Sequence, residues 1–438
     1  MTLTLGPRQV TEPERTEALI REAQRLQRRR WRRGMALVTL AVVVAAVVVT
    51  SLQGGGPARP RPAARVPGPP PAQRRVNGPS LGLATSYQLT GPIGVAADRG
   101  GDTYFTDGNR VLEVDRATQQ LQVVAGTGAA GFSGDGGPGP QATLSGPSGV
   151  AVAPNGDVYF QDGNRVRKVS AADGVISTVA GDGRTGPSGD DGHIGSTGDG
   201  GPAVRASLDF GSSGSGTGGL SDSIALGPDG DLYMAEAGNN EVQKVSLATG
   251  VITQAVGPGI HCGALDGICL TAPHPCAPVG VAVDSSSNIF VATACGSIRE
   301  KVAATGVTST IFSTHQDSAL AGTGGDHDPT GLALGNDKTL FVTEAYGRRL
   351  LELSLATGRV ILVAGTGVET YPKPGQTAGD GGPASNATFG LALGVAVDEQ
   401  GNVYVADFFN NAIRMIDWRT GVISTVAGQI PMSPVHCC

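Results

Sequence analysis

Aromatic residues make up only 4% of this sequence and charged residues only 16%. Few aromatics, frequent Val and Ile, and 68 Gly with 28 Pro argue against a helical protein and for many short strands joined by turns. A basic excess is also missing. The formal net charge is −6, and it is unevenly spread. Residues 1–33 hold nine Arg against four Glu, a net of +5, and residues 34–52 hold none, which leaves −11 for the rest. An acidic main part excludes a nucleic-acid partner, which needs a basic surface. A kinase signature is absent as well, and the basic leading segment is too short to hold one.

The uncharged run from Met35 to Leu52 is 18 residues dominated by Val and Ala. As a helix it spans roughly 27 Å, enough for a bilayer core. Six Arg lie between residues 25 and 33, against three, Arg59, Arg61 and Arg65, at comparable range beyond the run. That asymmetry places the N-terminus in the cytoplasm and the rest outside. The alternative, a cleaved signal peptide, fits less well, because the leading segment is long and no small-x-small site follows. Residues 53–80 are rich in Pro, Gly and Arg, a composition that cannot bury a core and is read as an extended spacer.

Beyond Thr90 one pattern recurs six times. Its clearest copy reads Gly-Val-Ala-Val-Asp (394–398), Gly-Asn-Val-Tyr-Val-Ala-Asp (401–407), Asn-Asn-Ala-Ile-Arg (410–414) and Gly-Val-Ile-Ser-Thr-Val-Ala-Gly (421–428). The copy at 149–181 is nearly the same, and others begin near Gly94, Ser223, Gly280 and Gly331. Each holds four short apolar runs separated by turn residues, so each reads as a four-stranded meander. First runs are small (Gly, Ala, Val), as innermost strands near an axis must be. Second runs are apolar on both faces, as in a sheet stacked between two others. Radial stacking of such sheets gives a propeller.

These motifs resemble the NHL repeat. The tract Gly-Asp-Gly-Gly-Pro at 134–138, 198–202 and 379–383 is similar to the linker of bacterial secreted NHL proteins and of the teneurin NHL domain. The resemblance covers about residues 91–428. Copy four departs from it, with Ala292-Thr293 where the acidic residue stands and Thr310-Ile311-Phe312 in place of Val-Ala-Gly. The expected fold is all-β. A six-bladed NHL-type propeller over 81–438 follows a basic cytoplasmic segment (1–33), a transmembrane signal-anchor helix (34–52) and a linker (53–80). The resemblance implies a binding platform more often than an enzyme.

Insertions at 128–145, 183–220, 258–276 and 366–390 join the fourth strand of one copy to the first of the next. They are expected to share one face with the acidic residues that end the second runs: Asp107, Asp162, Glu236, Glu344 and Asp407. Loops on a rigid scaffold commonly carry binding, so this face and these five residues are the candidate ligand site. Turn chemistry is the plainer reading of the same acids, since Asp accepts bonds from nearby backbone amides. The oxygen-rich stretch 189–201 suits calcium but lacks the EF-hand pattern, so no cofactor is expected. Gly-x-Gly-x-x-Gly at 126–131 precedes no helix and is not a nucleotide site.

Cys262, Cys269, Cys276 and Cys295 cluster in the most degenerate region and are read as one or two disulfides of open connectivity. With His261 and His274 a zinc site is the alternative. All six His, at 193, 261, 274, 315, 327 and 436, lie outside the predicted strands, which weakens metal-assisted lyase chemistry. The expected function is recognition of a protein, peptide or cell-envelope glycan by a membrane-anchored propeller outside the cytoplasm. The alternative is a calcium-dependent, lactonase-like hydrolase or lyase.

Overall fold

The computed structural model describes residues 78–184, 198–211, 224–257, 277–294, 296–313, 329–336, 338–368 and 378–429. All belong to the compact unit Pro71–Cys438. The anchor run 34–52, nearly all of the linker and all six Cys lie outside the described residues. Among the described residues no helix is long and apolar enough to cross a membrane.

Six antiparallel sheets follow one another along the chain. Blade 1 holds β2 (Pro92–Ala97), β3 (Thr103–Asp107), β4 (Arg110–Val114) and β5 (Gln120–Ala125), with β1 (Ser80–Leu83) added outside β5. Blade 2 holds β6 (Pro147–Val152), β7 (Val158–Asp162), β8 (Val166–Val169) and β9 (Ile176–Ala180). Blade 3 holds β10 (Ile224–Leu226), β11 (Leu232–Glu236), β12 (Glu241–Ser246) and β13 (Val251–Val256). Blade 4 holds β14 (Pro278–Val283), β15 (Ile289–Thr293), β16 (Ser297–Lys301) and β17 (Thr308–Ser313). Blade 5 holds β18 (Pro329–Asn336), β19 (Thr339–Glu344), β20 (Arg349–Ser354) and β21 (Val360–Ala364). Blade 6 holds β22 (Ala392–Val397), β23 (Val403–Asp407), β24 (Ala412–Ile416) and β25 (Ile423–Ala427).

The ring is closed. Each first strand packs on the first strands of both neighbours, and β22 meets β2. The small residues of these strands are what permit it. A Cβ on Gly94 would lie 2.0 Å from the Ser148 carbonyl oxygen of blade 2, and one on Gly394 would lie 2.6 Å from that of Ile93 in blade 1. Neither position tolerates any side chain without moving backbone. Thr106 adds a hydrogen-bonded clasp: its Oγ1 accepts the Gly94 N–H at 3.0 Å and donates to Ser148 C=O at 2.8 Å.

The core lies between blades. The second strands β3, β7, β11, β15 and β23 are buried along their whole length. The scarce aromatics are concentrated there. Tyr104, Tyr159, Tyr233, Phe290, Phe341 and Tyr404 occupy the same position in all six blades and are each at most 6% exposed. Each such ring contributes roughly 1.5–3 kcal/mol by burial.

One strand was not legible as such. Ser80 falls within the expected linker but begins β1, which pairs antiparallel with β5 and gives blade 1 five strands. The chain returns to the same place, where Gly428 N–H donates to Ala84 C=O at 3.0 Å.

Candidate functional site

The five acidic residues end the second strands as expected, but their side chains point inward. Asp107 is 6% exposed, Asp162 1%, and Glu236, Glu344 and Asp407 are fully buried. Four of them catch the backbone that leads into the first strand of their own blade or into the loop before it. Asp107 accepts the Thr90 N–H at 2.8 Å, Asp162 that of Ser145, Glu236 that of Asp209 at 3.1 Å and Asp407 that of Gly390 at 2.8 Å. Glu344 instead accepts Arg349 Nε at 3.0 Å. In blade 4 the acid is replaced by Thr293, which shares a hydrogen bond with Ser297. The five therefore sit in separate blades, four of them as latches on incoming backbone and Glu344 as the partner of Arg349. Among the described residues no group of three or more His, Cys, Asp or Glu could hold a metal ion.

Burial is the first cause of the raised carboxyl pKa of Asp107, Asp162 and Asp407; the N–H bonds and nearby Arg residues oppose it. For Asp107 the folded value thus lies above the ordinary 3.8. Between the ordinary value and the folded one, the native state holds a proton that the unfolded chain has released. This group's contribution to stability is full below the ordinary value and is lost as pH rises through the folded one. Asp107→Asn keeps the acceptor for Thr90 and removes the charge. As pH rises above the ordinary carboxylate value its melting temperature is expected to fall less than that of the wild type; an equal fall in both proteins would contradict the assignment.

A second device was missed in the sequence. The Gly-Asp-Gly-Gly-Pro tracts are not free loops of the ligand face but straps along the rim. Gly136 N–H donates to Ile176 C=O at 2.8 Å, and Ile176 N–H returns a bond to Gly137 at 2.9 Å. Pro138, Pro202 and Pro383 bridge to Val175, Val251 and Val422 of the next blade's outer edge. The strap Asp then reaches inward. Asp135 contacts Arg167 at 2.7 Å, and Arg167 contacts Asp162 at 3.2 Å. Blade 6 repeats this with Asp380, Arg414 and Asp407 at 2.6 and 3.3 Å. Asp135 also accepts the Thr178 N–H and hydroxyl, at 3.1 and 2.7 Å. In blades 2 and 6 the signal was present: an Asp in the strap, an Arg in the third strand and a Thr in Ile-Ser-Thr-Val-Ala, all at matching positions.

Among the large apolar side chains that the loop face exposes, three are aromatic. Phe132 lies in the 128–145 insertion and is 44% exposed, with the Arg165 guanidinium 3.8 Å from its ring centroid. Tyr346 and Phe409, in the turns after β19 and β23, are each 45% exposed. Phe409 is held edge-on by Phe408 at 5.1 Å.

The profile of the Teneurin NHL domain matches residues 116–191 and 336–437, where the repeats are most regular. The chain is an NHL-repeat β-propeller. Among relatives of this propeller, Teneurin-3 of Danio rerio is 46% identical over 95 residues, 18% of this chain and 4% of that protein. Teneurin-1 of Homo sapiens is 26% identical over 320 residues, 70% of this chain and 9% of that protein. The propeller thus spans less than a tenth of the length of the curated relatives it matches. Among solved structures, a structural-genomics protein of Bacteroides thetaiotaomicron shares the fold, with TM-score 0.50 and 17% identity over 78% of this chain and 72% of that one.

Proposed function

We propose that this propeller is a binding platform, held outside the cytoplasm by the apolar run 34–52, that recognises a protein, peptide or glycan of the cell envelope through its loop face. The observation that carries the reading is the exposure of Phe132, Tyr346 and Phe409 on that one face. Aromatic side chains and Arg dominate the energetics of recognition surfaces. Here the rings stand on loops tied down by buried carboxylates, so little ordering is left to oppose binding. The five acids act in this reading by positioning loops rather than by touching ligand. The described first strands carry Gly, Ala, Val, Ile, Leu, Pro, Ser, Thr and Asn, which gives hydrolytic chemistry at the axis no acid or base from these strands.

The test uses the full-length chain in detergent, titrated against isolated cell envelopes. The variant Phe132→Ala/Tyr346→Ala/Phe409→Ala is expected to bind at least about tenfold more weakly while its unfolding midpoint shifts little, since the three sites are surface positions. Val307→Ala, on a turn at the opposite end and 59% exposed, serves as control. Unchanged binding by the triple variant would remove the loop face from the proposal.

A further inference from the structure

Blade 3 carries the latch and strap positions with their charges altered. In blades 1, 2 and 5 the acid that ends the second strand is opposed across the hairpin by a base, and in blade 6 Asp407 is opposed by the neutral Ala412. Asp107 pairs in register with Arg110, Glu344 with Arg349, and Asp162 exchanges backbone bonds with Arg165. In blade 3, Glu236 stands directly opposite Glu241, and both are fully buried. Like charges directly opposite on a sheet repel. The Arg that neutralises blades 2 and 6 is also replaced: Gln243 stands where Arg167 and Arg414 do. Gln254, cross-strand from Gln243, stands where Thr178 and Thr425 bind the strap Asp. The strap acid itself, Asp199, is retained. Burial and then the charge of Glu241 raise its pKa. At four equivalent positions blade 2 sums to zero charge (Asp135, Asp162, Arg165, Arg167), while blade 3 sums to −3 (Asp199, Glu236, Glu241, Gln243).

The second observation concerns unused acceptors. Glu236 Oε1, Asn239 Oδ1 and Asn240 Oδ1 are buried without a hydrogen-bond partner, in residues at most 1% exposed. Asn239 Nδ2 donates to Glu236 Oε2 at 2.7 Å, which ties this turn residue to the carboxylate. Buried acceptors in this number are costly unless something meets them. Burial is the first cause pushing the Glu236 carboxyl up to about 8, and Glu241 adds to it. Opposite it, Glu241 is held by neutral amides rather than by a cation: Gln243 Nε2 donates to its Oε1 at 2.9 Å and Gln254 Nε2 to its Oε2 at 2.6 Å.

We propose that blade 3 binds a calcium ion between Glu236 and Glu241, with the side-chain oxygens of Asn239 and Asn240 as further ligands, in the role that Arg167 and Arg414 play in blades 2 and 6. The donors are all oxygen, two carboxylates and two amides, and they flank a turn that can adjust. This suits a hard cation of flexible coordination, and calcium better than magnesium. The site needs no third acid. It lies within one blade, away from the axis, and is independent of the loop-face proposal.

The experiment uses the full-length chain in detergent after exhaustive chelation. Calorimetric titration with CaCl₂ is expected to show one bound ion per chain that depends on Glu236 and Glu241, and added calcium is expected to raise the melting temperature, since it binds only the folded state. Glu236→Gln/Glu241→Gln is expected to lose both responses. Glu241→Arg restores the acid–base pairing of blades 1 and 2. It is expected to melt at or above the chelated wild type and to ignore calcium, which guards against a variant that merely fails to fold. No calcium response in the wild type, or a response that survives in Glu241→Arg, overturns the site.

Discussion

Arg414→Ala is expected to cost about 3–5 kcal/mol of folding stability, read as a shift in the denaturation midpoint. The guanidinium is fully buried between Asp380 and Asp407, and also donates to the Ala378 C=O at 3.4 Å. Truncation leaves the Asp407 carboxylate buried with its charge uncompensated, and unties the strap from the blade at the same stroke. Hydrophobic replacement of the whole group tests the cause. Asp380→Asn/Arg414→Met/Asp407→Asn keeps the acceptor for Gly390 and removes every charge, so it should recover most of the loss. The exposed pair Arg99–Glu399, at 3.2 Å with side chains 64% and 60% exposed, is the contrast. Breaking it should cost at most about 1 kcal/mol. Equal effects at both sites would mean that burial is not what gives Arg414 its weight.

Gly394→Val is expected to prevent the ring from closing, with a loss of more than about 3 kcal/mol or failure to fold. The new Cβ would meet the Ile93 oxygen at 2.6 Å and the Val95 nitrogen at 3.0 Å, both backbone atoms of blade 1. No rotamer change relieves a clash at Cβ. Small-angle scattering should report an opened, larger particle, and limited proteolysis should cut between blades. Gly250→Ala is the comparison. That glycine has φ +70° in a turn with nothing within 4 Å, so the change carries only the left-handed backbone penalty of about 1–2 kcal/mol. A Gly394→Val protein that still scatters as the compact ring would show that the first strands have slack.

The blade count was legible because a repeat states its fold six times, and a weak copy such as 278–313 inherits the reading of its neighbours. Small first runs and unbroken second runs followed from the same physics that the inter-blade core obeys. The acids were found, but where they point was not. The end of a strand tells which face a residue reaches, whereas its burial depends on the incoming loop, which lies far off in sequence: Thr90 for Asp107, and Gly390 for Asp407. The straps were hidden for the same reason. Gly-Asp-Gly-Gly-Pro has the composition of a loose linker, and only the outer strand of the next blade gives it a partner. Phe132, Tyr346 and Phe409 were illegible as a group because three different inter-strand connections carry them to one face.

The fifth strand of blade 1 decides where a pull on the propeller is felt. A tether drawing on the segment before Ser80 loads β1 first, and β1 is held to β5 by three register pairs broken by one irregularity. Peeling it away takes an outer strand from a sheet that keeps the four strands β2–β5 common to every blade. The ring of first strands lies at the far side of that sheet, so mechanical failure begins at the rim and need not reach the axis.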